Sequence, residues 1–379
     1  MSTPSPDPAP VTCFLGEGVP LAPHTTLGLG GPARYWASCA RVDQVRACLP
    51  WARRRGLPVQ VLGGGSNVVF ADEGFEGLVL HVALRGVERV ADGTGVRLTA
   101  AAGETWDAVV EACVADGLAG VECLSGIPGQ VGATPIQNVG AYGQEVSQVL
   151  VEVQALDRHT LREVTFPAVD CGFGYRHSRF RGEDRDRYVI TRVALRLEPQ
   201  GRPAVRYAEL RSRLEDSALD AGERGAPALR RVRQAVLALR REKSMVVDPA
   251  DPNSRSAGSF FLNPRLSRGE LEALRGRLPA GTGIPTFEAP DGVKVPAAWL
   301  IERAGFPRGL RLGGAAISDR HALALVNRGA TARQLLALAA RIQEGVQARF
   351  GVRLEPEPVI LGPRGPLASG ALGAGPACQ

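Results

Sequence analysis

The run Gly126–Gly143, GIPGQVGATPIQNVGAYG, predicts more about the fold than any other part of this chain. Its eighteen residues include five glycines, two prolines and no charged side chain, whereas charged residues make up 22% of the whole sequence. Loops in solvent are usually polar, and few ordinary connections are this long. A rigid, apolar, glycine-rich loop of this kind indicates main chain packed against a flat ligand.

A second glycine-rich loop, Gly63-Gly64-Gly65-Ser66-Asn67, follows a predicted strand. Glycines without a Cβ let backbone N–H groups approach a pyrophosphate, and the serine and asparagine add side-chain donors. The spacing fits neither G-x-G-x-x-G nor a Walker A loop, which disfavours a Rossmann or P-loop site. A tight turn explains this segment alone equally well. Two such loops in one domain favour a dinucleotide whose pyrophosphate and ring are held separately.

The pattern around the two loops predicts a domain of mixed helices and short strands. The helix predicted at 42–55 carries Val45, Leu49 and Ala52 on one face and ends before Gly56. Thr105 opens a second helix, at 105–116. Alternating residues predict the strands 33–38, 58–62, 78–82, 96–102, 148–157, 160–166 and 188–197.

Helical patterns dominate after about residue 203. Helices are predicted at 228–243, 268–278, 296–304 and 331–349, with a strand at 322–327. The proline- and glycine-containing stretch 198–203 is typical of a domain boundary. The fold class predicted from these elements is α+β.

Composition indicates a globular protein with more than one domain. The chain has 379 residues, a formal charge of +6 and no apolar run of the roughly 18 residues that a membrane span needs. Basic residues are spread along the chain among acidic ones, which favours solvated faces over a nucleic-acid site. The seven cysteines form no C-x-x-C pair, and the proline-rich residues 2–10 do not resemble a secretion signal. We therefore expect reduced thiols and a cytoplasmic location.

Two lysines stand out, because Lys243 and Lys294 are the only lysines among the 45 basic residues. An ammonium group is a compact charge that approaches a phosphate or carboxylate from any direction, whereas a guanidinium has a fixed fork. Both lysines are therefore candidate ligand contacts, although the presence of only two lysines is equally explained by chance.

The segment Ser256–Pro264, SAGSFFLNP, is the main candidate for catalysis. Two aromatic residues after a Gly-Ser turn fix the turn, so that the hydroxyl group of Ser259 is aimed and can deliver a proton. Gly-Ser followed by aromatics also occurs in many buried turns. The segment therefore indicates a catalytic site only in combination with other motifs.

A third motif, Cys171–Arg181, contains the candidate anion-binding residue Arg176. Its guanidinium group has the geometry to bind a carboxylate through two hydrogen bonds, although a basic surface loop is the alternative. His177 has no acidic neighbour in sequence, so an ordinary polar histidine is favoured over a general base.

In order and spacing, these motifs closely resemble those of the UDP-N-acetylenolpyruvoylglucosamine reductase (MurB) family, flavoenzymes of peptidoglycan precursor synthesis. The resemblance covers about residues 24–362. It is to the form of the family that retains a tyrosine loop covering the substrate. The matching segments are 24–31, 63–67, 127–143, 174–176, 258–264, 298–302 and 354–357.

The resemblance implies a vanillyl-alcohol-oxidase-like (PCMH-type) FAD-binding domain and a C-terminal α+β substrate-binding domain. It implies that NADPH reduces FAD and that the flavin then reduces the enolpyruvyl group of UDP-N-acetylglucosamine enolpyruvate, giving UDP-N-acetylmuramate. The expected layout is a disordered lead (1–22), an FAD-binding domain of two subdomains (23–202), a substrate-binding domain (203–350), a C-terminal segment with the catalytic glutamate (351–361) and a disordered tail (362–379).

The resemblance also assigns roles to residues. Arg176 and Glu357 would stabilise negative charge on the substrate, and Ser259 would donate the final proton with help from Lys243. No metal is expected, and we expect a monomer. The cofactor-binding candidates are Gly63, Gly64, Gly65, Ser66, Asn67, Ile127, Pro128, Gly129, Gly132, Ala133, Gln137, Asn138, Gly140 and Tyr142. The substrate-binding candidates are Tyr175, Tyr207, Lys243, Asn263 and Lys294.

The chain departs from the family pattern at three positions. Leu262 stands where many members have a lysine or another polar residue, and His321 replaces a frequent glutamine. Pro358 follows Glu357 where valine is common, which leaves Glu355 as the alternative to the favoured Glu357. Two other functions fit parts of the pattern: a flavin oxidase of the same superfamily, and a flavin-free protein that binds a nucleotide sugar.

Overall fold

The computed structural model describes residues 15–215, 222–289 and 292–367. The strands, in chain order, are β1 (Leu15–Pro20), β2 (Pro32–Cys39), β3 (Val59–Leu62), β4 (Val68–Phe70), β5 (Phe75–Val82), β6 (Val87–Asp92), β7 (Gly95–Ala101), β8 (Leu118–Ala119), β9 (Gly140–Ala141), β10 (Gln144–Glu145), β11 (Leu150–Asp157), β12 (Glu163–Pro167), β13 (Tyr188–Pro199), β14 (Arg265–Leu266), β15 (Phe287–Ala289), β16 (Gly292–Lys294), β17 (Arg311–Leu312), β18 (Ala315–Ile317), β19 (Leu325–Asn327), β20 (Val359–Gly362) and β21 (Gly365–Pro366). The helices are α1 (Val42–Arg54), α2 (Trp106–Ala115), α3 (Ala208–Glu215), α4 (Gly225–Glu242), α5 (Arg268–Gly276), α6 (Ala297–Arg303) and α7 (Ala332–Phe350).

The chain forms two compact units. The first contains the residues up to Gly18, Tyr35–Gly64 and Gly77–Glu242. The second contains Val19–Arg34, Gly65–Glu76 and the residues from Lys243 onward. Each unit is therefore assembled from separate stretches of sequence, and in each the apolar residues form a core of their own.

The described residues of the first unit form two larger sheets with helices beside them, and β9 and β10 form a separate two-stranded sheet. One sheet has the order β1-β2-β5-β3, and the other has the order β12-β11-β13-β7-β6 with β8 paired to β13. Helix α1 forms because Val45, Cys48, Leu49 and Ala52 lie on one face and are buried there. It ends at Gly56, whose φ of +63° suits glycine.

Within its described residues, the second unit contains three small sheets and the helices α5, α6 and α7. The sheets have the orders β14-β16-β15, β17-β18-β19 and β21-β20-β4, and β4 pairs with β20 in parallel. Helix α7 begins at the cap Thr331, whose hydroxyl group accepts from Gln334 N–H, and it ends at Gly351 with φ +72°. The carboxylate of Asp72 also accepts from the N–H of Ala332 at 2.7 Å.

Most of the predicted elements occur within a few residues of their predicted limits, including α1, α2, α5, α6 and α7. Strand β1 was not predicted: it occupies Leu15–Pro20, where the sequence analysis expected a disordered lead. Residues 1–14 and 368–379, which make up most of the expected lead and tail, lie outside the described residues. Within the expected tail, β21 pairs with β20 through Gly365 and Gly362.

The limits of the two units differ from the expected domain boundary at 202–203. Helix α4, expected in the substrate-binding domain, belongs to the first unit. Its residues Val232, Val236 and Leu239 are buried in one cluster with Leu210 and Cys123. The stretch after β13 that was expected to mark the domain boundary belongs to the first unit. There, Gln200 N–H donates to the Gly117 carbonyl at 2.8 Å. None of the helices in the described part of the chain has the length and apolar character of a membrane span.

Candidate functional site

Within the first unit, the two glycine-rich loops lie against each other. A Cβ on Gly64 would lie 2.8 Å from the Cα of Gly129, so the two main chains touch where a side chain would not fit. The second loop is fixed by hydrogen bonds from Val131 N–H to the Glu104 carbonyl and from Gly132 N–H to the Ala102 carbonyl, each of 2.9 Å. The loops that were predicted to hold two parts of a dinucleotide separately are therefore joined at their glycines.

Gln130, which the sequence analysis did not select, lies at this junction. Its side chain is 9% exposed, and its Oε1 atom has no hydrogen-bond partner among the described residues. A Cβ on Gly63 would lie 3.1 Å from this oxygen. A buried acceptor without a donor is costly unless a ligand supplies one. The available signal was the long polar side chain in the otherwise apolar stretch 126–133.

These features fit a dinucleotide such as FAD. Within the described chain, the backbone N–H groups of Gly63 and Gly64 donate no hydrogen bond to another residue. Phosphate oxygens need such donors, whereas ribityl hydroxyls and ring N–H groups need an acceptor such as the Gln130 Oε1 atom. The first unit offers both kinds of group at one place.

The rest of the first glycine loop belongs to the second unit. Gly65 has φ +62°, and a Cβ on it would lie 1.9 Å from the carbonyl oxygen of His24, so only glycine fits. Asn67 donates through Nδ2 to the Glu357 carbonyl at 3.4 Å, and its own carbonyl accepts from Val359 N–H at 3.0 Å. The predicted cofactor ligand Asn67 is thus tied to the segment that carries Glu357. Ser66 is half-buried.

Arg176 lies in a tight turn of the first unit. Gly174 and His177 exchange backbone hydrogen bonds of 3.0 and 3.2 Å, which leaves Tyr175 and Arg176 as the two turn residues. Arg176 has φ +52°, a left-handed conformation that is unfavourable for residues other than glycine. Its Nη2 atom donates to the Gly140 carbonyl at 2.5 Å, and its guanidinium carbon lies 5.3 Å from the centre of the Tyr175 ring. His177 is exposed.

Two predicted cofactor ligands contact the surroundings of Arg176. Asn138 is 1% exposed and donates to Glu145 Oε2 at 2.9 Å and to the Gly174 carbonyl at 3.1 Å. Gly140 faces the arginine itself, because a Cβ there would lie 3.1 Å from Arg176 Nη1. Both residues of the long glycine loop therefore contact a turn that is distant in sequence.

Tyr142 and Tyr207, predicted to contact the cofactor and the substrate, meet edge to face with ring centres 5.7 Å apart. Burial raises the pKa of Tyr142 to about 12, so its hydroxyl group stays protonated at neutral pH. Tyr207 is 46% exposed and therefore accessible to a ligand. Of the remaining loop candidates, Gln137 accepts from Arg181 Nη1 at 3.3 Å, and Ile127, Pro128 and Ala133 are half-buried.

In the second unit, the main chain brings the segments of Ser259 and Glu357 together. Glu357 N–H donates to the Phe260 carbonyl, and Leu262 N–H donates to the Glu355 carbonyl, both at 2.9 Å. Phe260 and Phe261 are each 1% exposed, and their rings meet edge to face at 5.2 Å. As predicted, the two aromatic residues anchor the turn.

The exposed fractions of the neighbouring side chains differ. Ser259 and Glu357 are half-buried, whereas Glu355 is exposed. Among the positions that depart from the family pattern, Leu262 and His321 are half-buried and Pro358 is buried.

The remaining substrate candidates also belong to the second unit. Asn263 accepts through Oδ1 from Ala297 N–H at 2.9 Å, at the start of α6. Lys294 pairs with Arg265 in the β14–β16 ladder, and its Nζ atom lies 5.4 Å from the ring centre of Phe287. Lys243 is half-buried directly after α4. The described residues contain no group of three His, Cys, Asp or Glu side chains that could hold a metal ion.

Comparison with known proteins gives a consistent result over nearly the whole chain. Residues 33–160 match the model of the FAD binding domain, and residues 249–361 match that of the UDP-N-acetylenolpyruvoylglucosamine reductase, C-terminal domain. The UDP-N-acetylenolpyruvoylglucosamine reductase of Thermobifida fusca is 50% identical over 93% of this chain and 99% of its own length. That of Streptomyces coelicolor is 50% identical over 90% of this chain and 89% of its own length.

A solved structure extends the similarity to the fold. The crystal structure of UDP-N-acetylenolpyruvylglucosamine reductase (MurB) from Thermus caldophilus covers 91% of this chain and 97% of its own, with a TM-score of 0.61 and 27% identity. The predicted α+β class and the predicted FAD-binding domain are confirmed.

Proposed function

Because this chain belongs to the UDP-N-acetylenolpyruvoylglucosamine reductase family, we propose that Arg176, Ser259 and Glu357 carry out its reaction. The observation behind the assignment to the family is 50% identity over 93% of the chain and 99% of a relative. The enzyme is an FAD- and NADPH-dependent oxidoreductase of peptidoglycan precursor synthesis. It reduces UDP-N-acetylglucosamine enolpyruvate to UDP-N-acetylmuramate.

When bound, FAD would supply hydride-transfer chemistry, with NADPH as the hydride source and the enolpyruvyl methylene carbon as the acceptor. In the first unit, Gly63, Gly64 and Gly129 would hold it through main chain that no side chain obstructs. Gln130 would supply the acceptor for one of its hydroxyl or N–H groups. The apolar side chains of the same loop exclude water, which strengthens these hydrogen bonds.

Arg176 binds the substrate carboxylate and stabilises the negative charge that develops beside it. A guanidinium group is suited to this because it is permanently charged and presents two parallel N–H donors. The turn around Arg176 and the Gly140 carbonyl orient the group before substrate arrives. Such orientation in advance makes charge stabilisation effective.

Ser259 donates the proton to the carbon next to the carboxylate, and Glu357 stabilises the same charged state as a carboxylic acid. The hydrogen bond from Glu357 N–H to the Phe260 carbonyl fixes the two segments relative to each other. A serine hydroxyl group is a weak acid, so it needs a positive charge nearby, and we assign this role to Lys243.

The remaining candidates bind the UDP-sugar. Tyr207 covers the substrate, and its 46% exposure supports this role. Tyr175, Asn263 and Lys294 contact the carboxylate or the UDP moiety. We also propose that the protein acts as a monomer in the cytoplasm. The five cysteines in the described residues are free and buried, in keeping with a reducing compartment.

Anaerobic stopped-flow measurements on the purified protein test the function. We expect a yellow protein whose flavin absorbance disappears with NADPH and returns when the enolpyruvyl UDP-sugar is added. Return of the absorbance only with oxygen would identify a flavin oxidase instead. A colourless protein that binds the UDP-sugar without FAD would identify a flavin-free binding protein.

A further inference from the structure

The side-chain hydrogen bonds of Asn138 are all made with residues of the first unit. Its amide group has two hydrogens, and they are donated to Glu145 Oε2 at 2.9 Å and to the Gly174 carbonyl at 3.1 Å. Its Oδ1 atom accepts from Ser147 N–H at 3.0 Å. With 1% of the residue exposed, no side-chain donor remains for a cofactor.

The Gly174 carbonyl that Asn138 binds belongs to the first residue of the Arg176 turn. Arg176 has φ +52° in this turn, and a left-handed conformation is unfavourable for arginine unless its surroundings hold it. Asn138 is itself left-handed, with φ +46°. Two left-handed residues are thus connected through one buried amide, which indicates a structure built to hold the turn.

Gly140 supports the guanidinium group of Arg176, whereas Asn138 supports the main chain of its turn. Its carbonyl accepts from Arg176 Nη2 at 2.5 Å, and a Cβ on it would lie 3.1 Å from Nη1 and 2.7 Å from Glu145 Cγ. The guanidinium group can therefore lie over the β9–β10 hairpin only because this position has no side chain.

From these contacts we propose that Asn138 and Gly140 are positioning residues for Arg176 rather than ligands of the cofactor. Asn138 holds the turn, and Gly140 leaves the space and supplies the carbonyl that sets the plane of the guanidinium group. This inference rests on the proposed role of Arg176 in the reaction. Because two parallel hydrogen bonds to a carboxylate require a fixed plane, loss of either support misdirects the arginine without removing its charge.

The variant Asn138→Asp tests the proposal. Aspartate keeps an oxygen for Ser147 N–H, but it places a second oxygen against the Gly174 carbonyl and the Glu145 carboxylate. We expect the FAD dissociation constant and the rate of flavin reduction by NADPH to stay within about twofold of wild type, whereas flavin reoxidation by the enolpyruvyl substrate slows about 10- to 100-fold. In an Arg176→Ala background, Asn138→Asp should slow this step by less than about twofold more.

Asn327→Asp is the matched control. Asn327 is also buried and donates through Nδ2 to the Leu27 carbonyl at 2.9 Å, but it belongs to the second unit, whereas the Arg176 turn belongs to the first. This control should lower the unfolding midpoint without slowing reoxidation selectively. If Asn138→Asp does not fold, Gly140→Ala is measured in the same way, with the same expected pattern.

Two results would overturn the proposal. Weaker FAD binding in Asn138→Asp would show a cofactor contact, and equal slowing with and without Arg176 would show an independent effect. Normal reoxidation in Arg176→Ala alone would instead refute the proposed role of Arg176, and the positioning role would fall with it. The single and double variants therefore distinguish the two failures.

Discussion

The turn of Arg176 and the segment of Ser259 are held in place by different kinds of interaction. Arg176 has a left-handed main chain and is positioned by polar contacts with Gly140 and, through Gly174, with Asn138. Ser259 precedes two aromatic side chains that are each 1% exposed, and main-chain hydrogen bonds connect its segment to that of Glu357. A polar network therefore positions the charged group, and an apolar core positions the proposed proton donor.

This difference has a physical reason. A guanidinium group needs its plane defined, and directional hydrogen bonds define a plane better than packing does. A hydroxyl group rotates freely and needs only its Cβ at the correct place, which a rigid backbone on a packed core provides. Substitutions should accordingly affect the two regions in different ways.

Removal of the proposed proton donor should have the largest effect. Ser259→Ala should leave flavin reduction by NADPH unchanged and slow reoxidation by the enolpyruvyl substrate by about 10²- to 10⁴-fold, because only the later step needs the proton. Stopped-flow traces of the two half-reactions measure this. Ser256→Ala, which loses only a 3.3 Å hydrogen bond from Gly258 N–H, is the control. Equal slowing of both half-reactions would refute the assignment.

Phe261, one of the two buried aromatic residues that anchor the Ser259 segment, should be the next most sensitive position. Phe261→Ala creates a cavity in the core of the second unit and should lower the free energy of unfolding by about 3–5 kcal/mol. Phe287→Ala, at a position that is 51% exposed, should cost less than about 1 kcal/mol. Denaturant unfolding followed by tryptophan fluorescence compares the two. Similar losses in both variants would mean that packing does not support the Ser259 segment.

Substitution of the arginine separates charge from geometry. Arg176→Lys keeps the positive charge but loses the planar fork, so it should slow reoxidation about 100-fold, nearly as much as Arg176→Ala. Single-turnover rates of both variants measure this. Wild-type-like turnover by the lysine variant would show that charge alone suffices. The polar contacts that fix the guanidinium plane would then not matter for the reaction.

The smallest effect concerns Asp107, which accepts from Gly126 N–H at 2.6 Å at the start of the long glycine loop. Burial raises the pKa of Asp107, but the hydrogen bonds from Arg233 and Gly126 outweigh burial, so the pKa lies below its ordinary value. The contribution of this carboxylate to stability is therefore present at neutral pH and is lost as the pH falls through its lowered pKa.

Asp107→Asn should lower the free energy of unfolding by about 1–2 kcal/mol at pH 7, and the difference from wild type should shrink below about pH 4. Unfolding curves at a series of pH values measure this. Asp92→Asn, in an exposed pair with Arg196, is the control and should change little. A difference that stays constant with pH would exclude the carboxylate charge as its cause.

The sequence predicted the parts of this structure that depend on local pattern. Helix α1 follows from the spacing of Val45, Leu49 and Ala52, and the anchored turn follows from the aromatic residues after Ser259. Both depend on neighbours in the chain, so both are visible in a short window of sequence.

The sequence did not predict features that depend on distant partners. Asn138 contacts Gly174, and β4 pairs with β20, although both pairs are far apart in sequence; neither contact has a local signal. The left-handed Arg176 is also invisible in sequence, because arginine does not favour that conformation. The limit of the first unit at Glu242 depends on which core buries α4, and helical spacing alone does not identify that core.

The parallel pairing of β4 with β20 sets the order of events during synthesis on the ribosome. Asn67 and Glu357, which flank this pair, are 290 positions apart. At ordinary elongation rates, β4 waits roughly 15–60 s for its partner strand to be made. During this interval Val68, Val69 and Phe70 lack their partner strand, and an unpaired apolar strand favours aggregation.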